Sequence, residues 1–234
     1  MVARTSTLGL DLARSPWAWA RWLVLAPHAD DETLGVGALI ARAARMRRLG
    51  AVVYLTDGAG SHSHADSHSR QALTALRRRE AALSLRRLAG QDAPQPAFLD
   101  WPDAHPHPVG SADFEASRRR LAGLCRRHRI DAIAVTAGHE PHCDHAAAFE
   151  LAQAVSTSPG LGLVTLFEYV VWADAPPPAR SVVATAPIPT GLRHRALMAH
   201  RSQLGPAFGD GFTLPAWQTK MAARDRLYVR RRHV

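Results

Sequence analysis

The chain has 234 residues, of which 47% are hydrophobic, and its 29 basic and 20 acidic residues give a formal net charge of +9. This length and composition predict one globular domain, 1–234, with a sizeable core. No apolar stretch is long enough for a membrane span, and the first residues lack the apolar segment of a secretory signal. Two cysteines do not make a disulfide framework. We therefore expect a cytoplasmic protein.

The basic charge does not by itself indicate a nucleic-acid partner. Lys220 is the only lysine, so almost all of this charge is arginine. The arginines fall on predicted helices, where solvated charge is the ordinary expectation. No basic motif is interleaved with aromatic residues, as it is in many nucleic-acid-binding domains. We expect no nucleic-acid partner.

Strand and helix patterns alternate along the chain. Apolar runs that stop at turn residues are followed by segments of helical spacing, two of which are closed by a glycine, Gly50 and Gly90. The predicted pairs of strand and helix are 21–27 with 33–50, 51–58 with 69–90, 96–101 with 112–129, and 130–138 with 143–156. Further strands are predicted at 161–173 and 181–188, and further helices at 191–203 and 215–229. This order predicts an α/β fold, a Rossmann-like three-layer αβα sandwich with a mostly parallel sheet.

Two loops of this fold carry an unusual density of carboxylates and imidazoles. In a doubly wound sheet of order 3-2-1-4-5, the first and fourth strands are neighbours, and ligands bind beyond their carboxyl ends. The side chains in question are His28, Asp30, Asp31 and Glu32 after the first strand, and His139, His142, Asp144 and His145 after the fourth. Two imidazoles and a carboxylate leave one zinc position open for water, which is typical of catalytic zinc sites. The sequence therefore predicts a metal site at this edge of the sheet.

Each of these residues also has an ordinary structural interpretation. Asp30, Asp31 and Glu32 at a helix start would complement the helix dipole and cap its free N–H groups. Asp144 would cap the helix that follows it, and a single histidine is more often a surface residue than a ligand. These alternatives predict no metal.

The motifs PHADDE (27–32) and PHCDH (141–145) resemble the two signatures of the LmbE/PIG-L family of zinc-dependent N-deacetylases, P-H-x-D-D-E early and H-x-D-H late. Segments 55–61, 77–90 and 200–203 are similar to weaker family positions, so the resemblance covers most of the chain. It implies a hydrolase that removes the N-acetyl group from an N-acetylglucosamine-type amino sugar or glycoconjugate. It also implies one Zn²⁺ per chain, with other divalent metals possible.

The resemblance assigns roles to the two main motifs. His28, Asp31 and His145 match the zinc ligands. Asp30 matches the general base that takes a proton from the attacking water. His142 matches the residue that donates to the oxyanion or to the leaving amine.

Three further residues are assigned by the resemblance. Asp144 would hold an imidazole in its working tautomer. Arg77, in an R-x-x-E pattern with Glu80, would face the substrate, and Asp57 would contact a sugar hydroxyl. Their structural alternatives are a surface arginine on a helix and a turn-forming Asp-Gly.

Two other functions compete with deacetylation. A non-catalytic Rossmann-like protein that binds carbohydrate or nucleotide would use the same acids as helix caps, although no G-x-G-x-x-G follows the first strand. A metal-dependent hydrolase of esters or phosphoesters would use the same ligands. The histidines of segment 60–70, His62, His64 and His68, are expected to lie in a polar loop, with metal contact as the alternative. Cys143 is expected to be inert.

Overall fold

The computed structural model describes residues 9–63, 66–176, 180–205 and 210–230. The strands are β1 (Leu10–Asp11), β2 (Trp22–Ala26), β3 (Leu49–Thr56), β4 (Ala97–Trp101), β5 (Ala132–Thr136), β6 (Thr165–Tyr169), β7 (Arg180–Ala184) and β8 (Arg226–Arg230). The α-helices are α1 (Asp31–Arg45), α2 (Ser67–Ala89), α3 (Ala112–His128), α4 (Cys143–Ser156) and α5 (Leu192–Leu197). Within these ranges, no helix combines the length and the apolar character that crossing a bilayer requires.

The eight strands form one sheet in the order β1-β7-β8-β6-β5-β2-β3-β4. The five strands from β4 to β6 in this order are mutually parallel, whereas β8 runs antiparallel to both β6 and β7. The predicted order 3-2-1-4-5 is therefore confirmed for the first five predicted strands. The predicted α/β sandwich with a mostly parallel sheet is confirmed as well.

The central strands are buried on both faces because helices cover each side of the sheet. Along β2, Trp22 and Val24 belong to the core under α1, α2 and α5, while Leu23 and Leu25 belong to the core under α3 and α4. All five residues of β2 and all five of β5 are buried. Such continuous apolar strands are typical of parallel sheets between two helical layers.

The prediction is wrong in three details. Helix α1 ends at Arg45, so Gly50 is not its cap and lies instead in β3. Segment 191–203 forms only the short α5 followed by a 3-10 turn. Segment 215–229 is not a helix but a turn followed by β8, because Leu227 and its neighbours are buried against the antiparallel partner β7. Pairing between distant strands leaves no local periodicity to read.

Helix α1 is kinked, and a residue from the C-terminal part of the chain supports the kink. Val36 has non-helical angles, φ −136° and ψ 25°. The Asp225 carboxylate accepts the backbone N–H of Leu39, just past the kink, at 2.6 Å. It also forms a fully buried ion pair with Arg193. Asp225 therefore caps the second half of the helix that begins with the Asp-Asp-Glu motif.

We expect Asp225→Ala to lower the free energy of unfolding by about 3 to 5 kcal/mol, because it leaves the buried Arg193 charge unpaired. The measurement is urea denaturation followed by circular dichroism. Glu115→Ala is the matched control, since it breaks an ion pair with Arg118 that is partly solvent-exposed and is expected to cost less than about 1 kcal/mol. Equal effects of the two substitutions would contradict this role of Asp225.

Candidate active site

The loops that follow β2 and β5 meet at the carboxyl edge of the sheet, because these two strands are hydrogen-bonded neighbours. The ring centroids of His28 and His142 are 4.8 Å apart, and those of His28 and His145 are 5.4 Å apart. A cavity of ≈ 450 Å³ opens at this point. The predicted site residues that line it are His28, Asp30, Asp31, Arg77, His142 and His145.

One carboxylate oxygen lies between two imidazoles at the floor of the cavity. Asp31 Oδ2 is 3.2 Å from His28 Nδ1 and 3.3 Å from His145 Nε2, and it also accepts the His28 backbone N–H at 2.9 Å. The outer ring nitrogens face other carboxylates. His28 Nε2 is 3.0 Å from Asp144 Oδ2, and His145 Nδ1 is 3.3 Å from Glu140 Oε2. Each imidazole is thus held between the shared Asp31 and a carboxylate of its own.

The contacts among these groups shift their pKa values in opposite directions. Burial lowers the pKa of His145, but attraction to Asp31 and Glu140 outweighs it and raises this pKa to about 9. Burial likewise lowers the pKa of His28, yet its carboxylate partners hold the pKa well above the ordinary value. Burial alone would raise the pKa of Asp31, whereas the two imidazoles bring it far below its usual range. The Asp31 carboxylate is therefore ionised in the buried site.

The donor set of this cluster suits a divalent ion. Both ring nitrogens of His145 are buried and neither makes a hydrogen bond of acceptable geometry. Single ring nitrogens of His28, His142 and His145 lie within 4.8 Å of one another. His28 also forms a second group with Asp103, His142 and Asp144. Imidazole nitrogens and carboxylate oxygens are the ligands of catalytic zinc sites, so the residues present fit such an ion.

Asp30 does not act as a helix cap. It precedes α1 with φ 146° and ψ −30°, and its side chain makes no capping hydrogen bond. Its backbone N–H donates to Glu32 Oε2 at 3.0 Å, and Glu32 Oε1 accepts the Thr33 hydroxyl at 2.7 Å and lies 3.3 Å from His200 Nε2. Burial and the neighbouring charge of Asp31 raise the pKa of Asp30 to about 7.

The N-cap of α4 is His142 and not Asp144, to which the structural alternative assigned this role. His142 is the N-cap of α4, and its Nδ1 accepts the Asp144 backbone N–H at 3.3 Å. A neutral His142 ring therefore carries its proton on Nε2. Burial and the nearby His28 lower the pKa of His142. The Asp144 carboxylate accepts the Ala104 backbone N–H at 2.9 Å and contacts His28, so it serves the site rather than the helix.

Arg77 lines the cavity, whereas Asp57 is outside its lining. The buried Arg77 guanidinium donates to the carbonyl oxygens of Gly58 at 2.9 Å and Ala29 at 3.0 Å, so it ties together two loops of the cavity wall. The Asp57 carboxylate forms an ion pair with Arg70 at 2.8 Å. A role in substrate binding stays a prediction for both residues.

The sequence analysis missed two carboxylates of the site, Asp103 and Glu140. Asp103 follows β4, and its Oδ1 lies 3.3 Å from His28 Nε2. Burial opposes ionisation of Asp103, but the contact with His28 lowers its pKa to about 2. Glu140 stands in the same loop as the histidines that were predicted to bind metal. His139, its neighbour in that loop, is exposed, and its Nε2 lies 2.9 Å from the Asp174 carbonyl oxygen. A search for carboxylates in every loop at this edge would have found both.

The histidine-rich segment is not part of a metal-binding group among the residues described. His62 is buried, with its Nδ1 3.0 Å from the Ser61 hydroxyl. His68 lies in the first turn of α2, and His64 lies outside the described residues. Cys143 is an exposed free thiol at the start of α4. The inertness of Cys143 stays a prediction.

Solved structures of two deacetylases and of a hydratase have the same fold as this chain. N,N'-diacetylchitobiose deacetylase from Pyrococcus horikoshii, in complex with an inhibitor, is 24% identical with a TM-score of 0.61, over 83% of this chain and 75% of that one. The zinc-inhibited form of teicoplanin deacetylase is 16% identical with a TM-score of 0.59, over 89% and 97%. The 4-carboxy-2-hydroxymuconate hydratase of Pseudomonas putida is 18% identical with a TM-score of 0.54, over 91% and 97%. At these identities, the likeness concerns the fold.

The family comparison goes further than the fold. No curated protein sequence matches the chain. The family model described as PIG-L, GlcNAc-PI de-N-acetylase, matches residues 23–156, which are more than half of the chain and include both motifs. The chain therefore belongs to the PIG-L (LmbE-like) de-N-acetylase family and is an enzyme that acts on N-acetyl amides of amino sugars.

Proposed function

We propose that the chain is a zinc-dependent hydrolase that removes the N-acetyl group from an N-acetylglucosamine-type glycoconjugate. The observation that carries this proposal is the position of Asp31 Oδ2, within 3.3 Å of one ring nitrogen of His28 and one of His145. This arrangement lies on the floor of a cavity that also contains Asp30 and His142. It supports His28, Asp31 and His145 as the ligands of one ion.

The outer carboxylates support this choice of ligands. Asp144 and Glu140 face the outer nitrogens of His28 and His145, and a carboxylate in that position keeps a proton on the nitrogen it faces. The inner nitrogens, which face Asp31, are then free to bind a cation. When bound, a divalent ion supplies Lewis acidity, which polarises a carbonyl oxygen and makes water a nucleophile near neutral pH.

Asp30 is our candidate for the general base. It is buried, lines the cavity and is adjacent in sequence to the ligand Asp31. Its carboxylate takes a proton from water as the water oxygen bonds to the amide carbon. The Glu32 carboxylate accepts the Asp30 backbone N–H and so holds the Asp30 backbone in place.

His142 is our candidate for the hydrogen-bond donor to the oxyanion. Its Nδ1 is occupied by the Asp144 N–H, so its Nε2–H donates a hydrogen bond to the oxyanion. Asp30 then passes the proton that it took from water to the leaving nitrogen. The C–N bond then breaks, and the products are acetate and the free amine. Breakdown requires no covalent bond between substrate and protein.

Zinc removal and substrate choice test the reaction itself. We expect protein loaded with one equivalent of Zn²⁺ to release acetate from methyl N-acetylglucosaminide and to lose this activity with a chelator. Elemental analysis and amine detection are the measurements. Because teicoplanin deacetylase has a zinc-inhibited form, zinc is not added in excess. Turnover of esters or phosphoesters without any turnover of amides would replace the proposal with another metal-dependent hydrolysis.

Substitutions of the two adjacent aspartates separate metal binding from proton transfer. Asp31→Ala is expected to lower zinc content, whereas Asp30→Asn is expected to keep zinc and to lose kcat by a factor on the order of 10² to 10⁴. Asparagine is also a good helix cap, so a capping role for Asp30 predicts almost no loss. His142→Ala is the control, and it should keep its zinc. An active Asp30→Asn enzyme would overturn the assignment of the base.

The backbone conformation of Asp30 makes a separate prediction about strain at this position. A φ of 146° is strained for a residue with a side chain and costs on the order of 1 to 3 kcal/mol. We expect ion-free Asp30→Gly to be more stable than ion-free Asp30→Ala by this amount, measured by urea denaturation, although neither deacetylates. At the exposed helical position 116, the wild-type alanine is expected to be more stable than Ala116→Gly by about 1 kcal/mol. If the alanine variant were more stable than the glycine variant at position 30 as well, Asp30 would be unstrained.

A further inference from the structure

Three aromatic side chains form a cluster beside the cavity. Trp172 and Phe212 line it, and Trp172 makes edge-to-face contacts with Phe212 at 6.0 Å and with Trp217 at 5.9 Å between ring centroids. Phe212 is 38% exposed and Trp217 is 60% exposed. Contiguous exposed aromatic surface beside a cavity is a common feature of binding sites. The proposed deacetylation, as described above, uses none of these rings.

The cluster is anchored to the groups that form the floor of the cavity. The Trp172 backbone N–H donates to Glu140 Oε2 at 3.1 Å, and the same oxygen lies 3.3 Å from His145 Nδ1. The Phe212 backbone N–H donates to the Ser61 carbonyl at 2.7 Å, and Ser61 lines the cavity as well. The backbone that carries Trp172 and Phe212 is therefore held in place relative to the reacting centre, which lowers the ordering cost of binding.

The surroundings of the rings are polar. Gln218 follows Trp217, and its side-chain amide donates to the Val171 carbonyl next to Trp172. Asp174 and Asp210, close in sequence to Trp172 and Phe212, are exposed. Polar side chains therefore stand on the same segments as the aromatic rings, as suits a ligand that carries hydroxyl groups.

We propose that Trp172, Phe212 and Trp217 form a second sugar subsite, which binds the pyranose ring linked to the N-acetylglucosamine unit in the cavity. This inference rests on the proposed function and specifies its substrate class as oligosaccharides or glycosides with a sugar as the acceptor. A cavity of ≈ 450 Å³ is at the lower end of the range for small-molecule sites, roughly 300 to 1,000 Å³. A substrate larger than one sugar therefore extends out of the cavity, whose wall includes Trp172 and Phe212.

The chemistry of a pyranose ring matches this surface. One face of the ring presents C–H groups that pack on an aromatic face, while its hydroxyl groups lie around the edge. The exposed Trp217 indole offers apolar area and an N–H donor together. Polar groups on the same segments and the surrounding water then serve the hydroxyl groups.

The test compares substrates that differ only beyond the first ring. They are a β-1,4-linked disaccharide of N-acetylglucosamine, methyl N-acetylglucosaminide and octyl N-acetylglucosaminide. We expect Trp217→Ala to lower kcat/KM for the disaccharide by roughly 3- to 10-fold, as for the loss of one aromatic contact, and to leave the methyl glycoside unchanged. Trp217→Phe should retain part of the preference.

Trp19→Ala is the matched control. Trp19 is 69% exposed but precedes β2, at the opposite edge of the sheet, so its loss should affect no substrate. Equal loss on all three substrates, or no loss on any, would overturn the subsite. A loss confined to the octyl glycoside would replace the sugar with an alkyl chain as the occupant.

Calorimetry separates this inference from the proposed function. Disaccharide binding to Asp30→Asn should be weakened by the additional Trp217→Ala substitution by the same factor as kcat/KM, while binding of the methyl glycoside should not change. If wild-type protein releases no acetate from any substrate, the proposed function fails, but this comparison of affinities still decides whether the subsite exists. Unchanged disaccharide affinity in the double variant would reject it.

Discussion

The site depends on a single ionised carboxylate that must be shared by two imidazoles from distant parts of the chain. Asp31 stands at the start of α1, and its partners are His28 in the preceding loop and His145 in α4. A buried charge of this kind is costly unless it is paired on every side. The pairing requires β2 and β5 to be neighbours in parallel register, so that both loops emerge at one edge. The sheet order, the kinked helix and the outer carboxylates all serve this requirement.

The sequence was informative where the chemistry is local. Apolar runs and glycine signals located the strands from β2 to β7 to within a few residues, and the rule for doubly wound sheets brought the two histidine loops together. Asp103 and Glu140 escaped because a single acid in a loop has no pattern, and its value appears only when an imidazole faces it. Strand β8 escaped for the corresponding reason, since its partner β7 is distant in sequence. The positive φ of Asp30 could not be predicted, because glycine is the residue that indicates such a backbone conformation in a sequence.

The comparisons illustrate why the site and not the fold must carry the function. The same architecture is found in deacetylases and in a hydratase, as is expected of folds that host several chemistries. The family match covers the segment from β2 to α4, which contains the ligand candidates, the proposed base Asp30 and the proposed oxyanion donor His142. The three residues of the aromatic cluster lie beyond that segment, at positions 172, 212 and 217. This division separates the part of the chain common to the family from the part proposed here to select the acceptor.

Glu140 connects these two parts. One carboxylate group accepts backbone N–H groups from residues 171–173 and also faces His145. A substitution of Glu140 would therefore disturb both the His145 imidazole and the backbone of Trp172. Activity and acceptor preference could not be changed separately at this position. Directed evolution toward a new acceptor would do better to randomise Phe212 and Trp217, which lie on a separate segment of the chain, and to keep Glu140 and Trp172 fixed. If the proposed subsite exists, a new acceptor can thus be sought at Phe212 and Trp217 without disturbing the contact between Glu140 and His145.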